Sequence, residues 1–311
     1  MTIDMRTTAF LFPGQGSQFV GMGRELVSLP AARAIFDEAD ALLDFSMSQL
    51  MWQGAADELN DTLNTQPALF IHSLAAYRTW ESLRPGLIPA YMAGHSLGEL
   101  SALTAAGGLS FADGLRLVRK RGELMKQAGE RNPGGMAAIL GLDIVTLERV
   151  CAEASQPGET VQVANDNCPG QVVISGHKIA LERAIVGAKS AGAKRALPLA
   201  VSIAAHSPLM ESIQAEWNAA VQAAAFSDVN LPVIGNVHAV PLLRADDLRA
   251  DLVAQMQNRV RWTESVRWMS AEGVTTFVEV GAGTVLGGLV KRIVSGTTAF
   301  PLGSLPDFEQ C

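Results

Sequence analysis

The chain is poor in cysteine, in aromatic side chains and in charge. Cys151, Cys168 and Cys311 are its three cysteines, with no CxxC spacing among 311 residues. So scattered and odd a set excludes a disulfide framework or a cysteine-built zinc site, and no metal is expected. It suits a reducing, cytoplasmic setting. Aromatic residues make up 6% and charged residues 18%, against a hydrophobic total of 48%. That balance describes a globular chain rather than a disordered one. Basic residues are outnumbered 24 to 31, for a net charge of −7, which argues against nucleic-acid binding. No uninterrupted apolar run reaches the length of a membrane span. The stretch from Met1 to Leu11 has one arginine and no long apolar core, so no signal peptide is expected. Repeats and low-complexity tracts are also missing. The length allows one large domain or two smaller ones.

What is present centres on Gly94-His95-Ser96-Leu97-Gly98, a G-x-S-x-G pattern. Ile88 to Ala93 before it is short and mostly apolar, as a buried strand would be. After it Leu97, Leu100, Leu103 and Thr104 recur at helical spacing until Gly107-Gly108. A serine between a strand and a helix is the setting of a nucleophile elbow. The sharp turn brings residues on either side of the serine together, so they must lack side chains. It pushes the hydroxyl outward, and the helix start offers free N–H groups and a positive dipole end. The Leu97 N–H is then placed for an oxyanion. In a chain with 29 glycines the bare pattern is weak, and an ordinary glycine-rich turn is the plain alternative.

In chain order, Thr8 to Phe12 reads as a buried strand entering the tight loop Pro13-Gly14-Gln15-Gly16-Ser17-Gln18. Neither phosphate-loop pattern is present there. Helices are expected from about Met22, over Ala31 to Leu43, from a cap at Asn64-Thr65 to Trp80, and over Asp113 to Lys126. The last carries Arg116, Arg119, Lys120, Arg121 and Lys126, a solvated face from which one arginine could turn inward. From Arg131-Asn132-Pro133-Gly134-Gly135 the order becomes β-α-β-β-α-β, with a turn over Asn165 to Gly170 and a last strand over Ala196 to Val201. That suits a small ferredoxin-like unit, residues 132–201, inserted into a larger α/β domain of residues 1–131 and 202–311. The large part then needs strands at Leu231 to Val237 and Thr275 to Val280. Its helices are expected over Asp247 to Met256, Ser265 to Ala271 and Val285 to Ile293.

A serine hydroxyl needs a base, and neutral imidazole serves best near neutral pH. Of five histidines, His72 reads as a packed or surface residue on a helix. His95 adjoins Ser96, so its side chain should point away from the serine's. His177 lies in the inserted unit. His206 and His238 both end putative strands, and the return of the chain to the large domain favours His206. An α/β-hydrolase would place an acid and then a histidine late in the chain. Here no convincing acid precedes His238, and the inserted unit is foreign to that fold.

The chain resembles the malonyl-CoA:acyl-carrier-protein transacylases of fatty-acid synthesis and the related acyltransferases of polyketide synthases. Six segments carry the resemblance in order: Phe12 to Gln18, Gly94 to Glu99, Arg119-Lys120-Arg121-Gly122, Asn167 to Gly176, Ala205 to Met210 and Glu279 to Gly283. The resemblance implies a large α/β-hydrolase-like domain with a parallel core sheet and the small ferredoxin-like insert. It implies Ser96 as nucleophile and His206 as base and then acid. The backbone N–H groups of Gln15 and Leu97 would form the oxyanion hole. Arg121 would clamp the malonyl carboxylate, since a guanidinium matches a carboxylate with two parallel bonds. Gln255 would orient His206 through its side chain or backbone carbonyl, with His95 in support. No cofactor is expected to reside in the protein. Malonyl-CoA is the implied substrate, and an acyl carrier protein bearing phosphopantetheine the partner, with a monomer acting alone. Ala204-Ala205, Asn258-Arg259-Val260 and Gly281-Ala282-Gly283 depart from the family pattern without touching this chemistry. Competing readings are a stand-alone polyketide-synthase acyltransferase, a serine hydrolase and a non-catalytic docking module.

Overall fold

The computed structural model describes residues 3–310, so Met1, Thr2 and Cys311 lie outside it. Ten strands follow in chain order: β1 (Thr8–Phe12), β2 (Tyr91–Gly94), β3 (Gly134–Leu140), β4 (Val161–Cys168), β5 (Gln171–His177), β6 (Arg195–Pro198), β7 (Val233–Ile234), β8 (Pro241–Leu242), β9 (Thr276–Val280) and β10 (Thr298–Leu302). They form two sheets in a mixed α/β molecule.

The larger sheet runs β10-β9-β1-β2-β7-β8. All its neighbours are parallel except the edge pair β7–β8. Its central strand β1 is buried along its whole length, which explains the unbroken apolar Thr-Ala-Phe-Leu-Phe. Alternate side chains serve two cores. Phe10 and Phe12 join Phe70, Leu74 and Met92 on one face. Ala9 and Leu11 join Val266, Met269, Phe277 and Val290 on the other. Helices therefore cover both faces, Thr62–Leu83 on the first, Trp262–Ala271 and Val285–Ile293 on the second.

The smaller sheet has the order β4-β5-β3-β6 and is antiparallel throughout. The helices Ile144–Ala154 and Lys178–Ser190 share its hydrophobic core. Near the large unit, β4 trades backbone bonds with Val260: Asp166 N–H donates to Val260 O at 3.0 Å, and Val260 N–H to Ala164 O at 2.9 Å.

Several boundaries differ from those expected. The elbow strand starts at Tyr91, and Ile88 is exposed. The long helix begins at Thr62, capped by Asp61, whose carboxylate accepts the Leu63 N–H at 3.0 Å. Pro67 thus lies inside it, where the missing N–H would orphan the Leu63 carbonyl. Arg119 takes that carbonyl at 3.1 Å, which makes the proline tolerable. Strand β4 runs through most of the expected turn, because two bulges and the Val260 bonds keep it extended, leaving Pro169-Gly170 to reverse the chain. Strand β6 stops at Pro198, short of Val201. Only Val233 and Ile234 of the expected Leu231 to Val237 strand pair with β2. The helix expected from Met22 is a short 3-10 turn, Arg24–Ser28. Cys151 and Cys168 are buried free thiols. Among the described residues, no helix is long and apolar enough to cross a membrane.

Candidate active site

The elbow follows β2 and opens the helix Gly98–Ala105. A Cβ on Gly94 would lie 1.9 Å from the Gly98 carbonyl group, and one on Gly98 only 2.0 Å from Phe12 O. Both glycines are therefore steric necessities. Between them Ser96 sits at φ +53°, a left-handed geometry that L-residues rarely hold. Asn236, just after β7, holds it there: its side chain accepts the Ser96 N–H at 2.8 Å and donates to Gly94 O at 2.7 Å.

His206 meets Ser96 from the loop after the small sheet. Its Nε2 is 2.8 Å from Ser96 Oγ. Its Nδ1 faces two carbonyls, Gln255 O at 2.9 Å and Asn258 O at 3.1 Å. Carbonyls only accept, so Nδ1 carries the proton and Nε2 offers its lone pair to the hydroxyl. Burial, and secondarily the charge of Arg121, push the imidazole down to about 3, so it rests neutral. His206 also holds a positive φ, +56°. The Gln162 amide on β4 donates to its carbonyl at 2.8 Å, so the small sheet steadies the loop.

Arg121 is the arginine that turns inward, 1% exposed. Its Nη2 donates to Ser96 Oγ at 3.1 Å and to Gln255 Oε1 at 2.9 Å. Its Nη1 donates to Gln66 Oε1 at 2.9 Å and to the Met125 thioether at 3.3 Å. Among the described residues the buried Nε has no partner. Burial brings the guanidinium down to about 10, so it stays charged at neutral pH. Arg119 and Lys120 turn outward to Glu123 and Glu216.

Gln255 reaches His206 through its backbone carbonyl, while its side-chain amide donates to Ser96 O at 2.9 Å and to Glu99 Oε2 at 2.6 Å. His95 turns to the small sheet, its Nε2 2.8 Å from Asn167 Oδ1. Gln15 lies in the loop after β1, which abuts the elbow: His95 N–H donates to Phe12 O at 3.0 Å. The N–H groups of Gln15 and Leu97 have no protein partner in the hydrogen bonds of the described residues. Gln15, His95, Ser96, Leu97, Arg121 and His206 line one cavity of 360 Å³, walled on its far side by Met136 and Val173 of the small sheet, and Gln255 does not reach it. His238 is exposed and lines a separate cleft with Arg259 and Arg261.

Gln66, Asn236, Met125 and Glu99 were not expected at this site. A carboxylate alone among the apolar residues of Gly98–Ala105 was the one visible signal, pointing to Glu99. Asn236 and Gln66 become neighbours of Ser96 and Arg121 only through the fold.

A strained serine, a neutral imidazole and a buried guanidinium stand around one cavity, an arrangement chemically able to support nucleophilic attack beside a negatively charged group. The chain belongs to the acyl transferase family, whose domain model matches residues 9–299. It is 48% identical to the malonyl CoA-acyl carrier protein transacylase of Escherichia coli K12 over 299 residues, 96% of each chain. The Bacillus subtilis transacylase of the same name is also 48% identical, over 93% of this chain and 91% of its own. An acyl carrier protein S-malonyltransferase from Vibrio cholerae superposes with a TM-score of 0.95 at 42% identity, covering 98% of this chain and 99% of that one. A malonyl-transacylase solved in complex with its type II PKS acyl-carrier protein gives 0.94 at 42% identity, over 97% and 98%.

Proposed function

We propose that this protein moves a malonyl group from coenzyme A to the phosphopantetheine thiol of an acyl carrier protein, in fatty-acid biosynthesis, through a malonyl-serine intermediate. The observation that carries this is the buried Arg121 guanidinium 3.1 Å from the Ser96 hydroxyl. A site built for neutral acyl groups would have no reason to bear the cost of burying that charge.

Ser96 Oγ attacks the thioester carbonyl while its proton passes to His206 Nε2. The N–H groups of Gln15 and Leu97 receive the oxyanion. As the intermediate collapses, the C–S bond breaks and His206 returns the proton to the departing thiolate. The carrier thiol then gives its proton to His206 and attacks the ester, and Ser96 leaves with that proton restored. The malonyl carboxylate takes Arg121, displacing its weaker partners, the Ser96 hydroxyl and the Met125 thioether. That displacement frees Ser96 Oγ for attack. It also cancels the positive charge that depresses His206, so a malonyl substrate makes the base stronger.

The large sheet with its flanking helices, residues 1–131 and 202–311, reads as an α/β-hydrolase-like catalytic unit. Residues 132–201 read as the ferredoxin-like insert, supported by the order β4-β5-β3-β6. The protein acts as a cytoplasmic monomer.

Intact-mass measurement after mixing with acyl-CoAs tests the proposal. Wild type gains a malonyl adduct and Ser96→Ala gains none. Arg121→Ala loses malonyl transfer by about a hundredfold but keeps or gains acetyl transfer. Equal loss for both acyl groups would refute the clamp.

A further inference from the structure

Beneath the elbow lies a pair of carboxyl groups that the acyl-transfer chemistry leaves unused. Glu99 stands in the first turn of Gly98–Ala105 and is 0% exposed. Asp251 comes from the helix Ala245–Gln255 and is 5% exposed. Each carboxyl group lies close enough to the other to act on its titration. Among the described residues, Glu99 Oε1 and Asp251 Oδ1 are both buried with no hydrogen-bond donor to either. Two carboxyl oxygens attract only with a hydrogen between them, so one proton satisfies both.

The remaining oxygens say which acid keeps it. Asp251 Oδ2 accepts two backbone N–H groups, from Asn236 at 3.2 Å and Val237 at 3.4 Å, an environment that favours an anion. Glu99 Oε2 accepts the Gln255 amide at 2.6 Å. The charge therefore belongs on Asp251 and the proton on Glu99. Burial first, and the neighbouring Asp251 charge second, hold Glu99 well above the usual carboxylate range. The basic side chains that bear on the pair are Arg121, which acts on Glu99, and His238, which acts on Asp251.

Two arms lead from the pair to the reacting groups. Glu99 fixes which way the Gln255 amide faces: its NH₂ goes to Glu99 and Ser96 O, so its oxygen must meet Arg121 Nη2. Asp251 anchors the Asn236 backbone, and the Asn236 side chain bridges Ser96 N–H and Gly94 O. We propose that Glu99 and Asp251 share a single proton and act as a positioning pair, holding the Ser96 elbow through Asn236 and the Arg121 guanidinium through Gln255. This rests on the roles proposed above for Ser96 and Arg121.

Glu99→Gln tests it, because an amide reproduces the neutral acid. Its NH₂ donates to Asp251 and its oxygen accepts from Gln255. Full-length E99Q should keep kcat within about threefold of wild type, whereas E99A loses about tenfold or more in kcat with little change in KM. Difference infrared spectra, wild type minus E99Q at neutral pH, should contain the C=O band of a protonated carboxylic acid. Melting curves supply a readout independent of activity. A raised carboxyl contributes stability that is full below its unfolded value of 4.5 and is lost as pH rises toward its folded value. E99Q cannot lose it, so the melting temperature of wild type should fall progressively relative to E99Q as pH rises above 4.5. No protonated-acid band, a pH-independent gap, or E99Q falling as far as E99A would each overturn the proposal. Loss of the Ser96 adduct test, with the band intact, would instead remove the acyl-transfer reading and leave the shared proton standing.

Discussion

His206 shows at the scale of one residue how environment sets a role. It is oriented by two neutral carbonyls rather than by a carboxylate, so carbonyl dipoles and no full negative charge support the imidazolium from behind. Burial and Arg121 push it to about 3, far below the ordinary 6.5. A base must be deprotonated to act, so the acid limb of kcat/KM should lie well below pH 6.5. Arg121→Ala removes one cause of the depression, so His206 should rise and the limb should move to higher pH. Acetyl-CoA is the substrate for this measurement because it does not need the clamp. An unmoved limb would mean that the Arg121 charge does not reach the imidazole. Ser96 and the Leu97 N–H could be picked out as candidates because the elbow is a local pattern, whereas Gln15 was named only through the family resemblance. For His206 the residues alone left His238 open, since distance from a serine 110 positions away is a property of the fold. Gln255 was named in either of two capacities, and the structure gives its carbonyl to the imidazole and its amide elsewhere.

The element that concentrates the constraints is the strand-turn-helix of β2 and Gly98–Ala105. Its glycines touch backbone, which cannot move aside as a flexible side chain can. Gly98→Ala would put a methyl 2.0 Å from Phe12 O, at the strand that centres the sheet. Urea denaturation should show a loss of about 3 kcal/mol, and activity should fall with it. This element was readable because steric necessity writes glycine into the sequence. Boundaries set by distant partners were not. Pro67 looked like a helix start, and is interior because Arg119 takes the carbonyl it orphans, 3.1 Å away. β4 looked shorter, because its extension depends on Val260.

Over the whole molecule, the contact between the two units supports the site. Thr263 on the large unit donates to Asp166 of β4, at 2.8 Å to the carboxyl and 3.1 Å to the backbone carbonyl. Asp166 is already raised by burial, with Thr263 opposing that rise. Thr263→Val keeps the shape and removes the donor, and should cost about 1–3 kcal/mol in thermal or urea unfolding. An unchanged midpoint would show that this seam carries no stability. The order of strands and helices after Arg131 pointed to a second sheet, while the pairing between Thr263 and Asp166 joins residues 97 positions apart and left no local mark. The cavity has walls from both sheets' surroundings: Ser96, His206 and Arg121 stand on one side, and Met136 and Val173 of the smaller sheet on the other. The room available to an acyl tail can thus be resized by exchanging side chains on the insert while the bond-making atoms stay untouched. A lineage of such proteins can change its diet without relearning its chemistry.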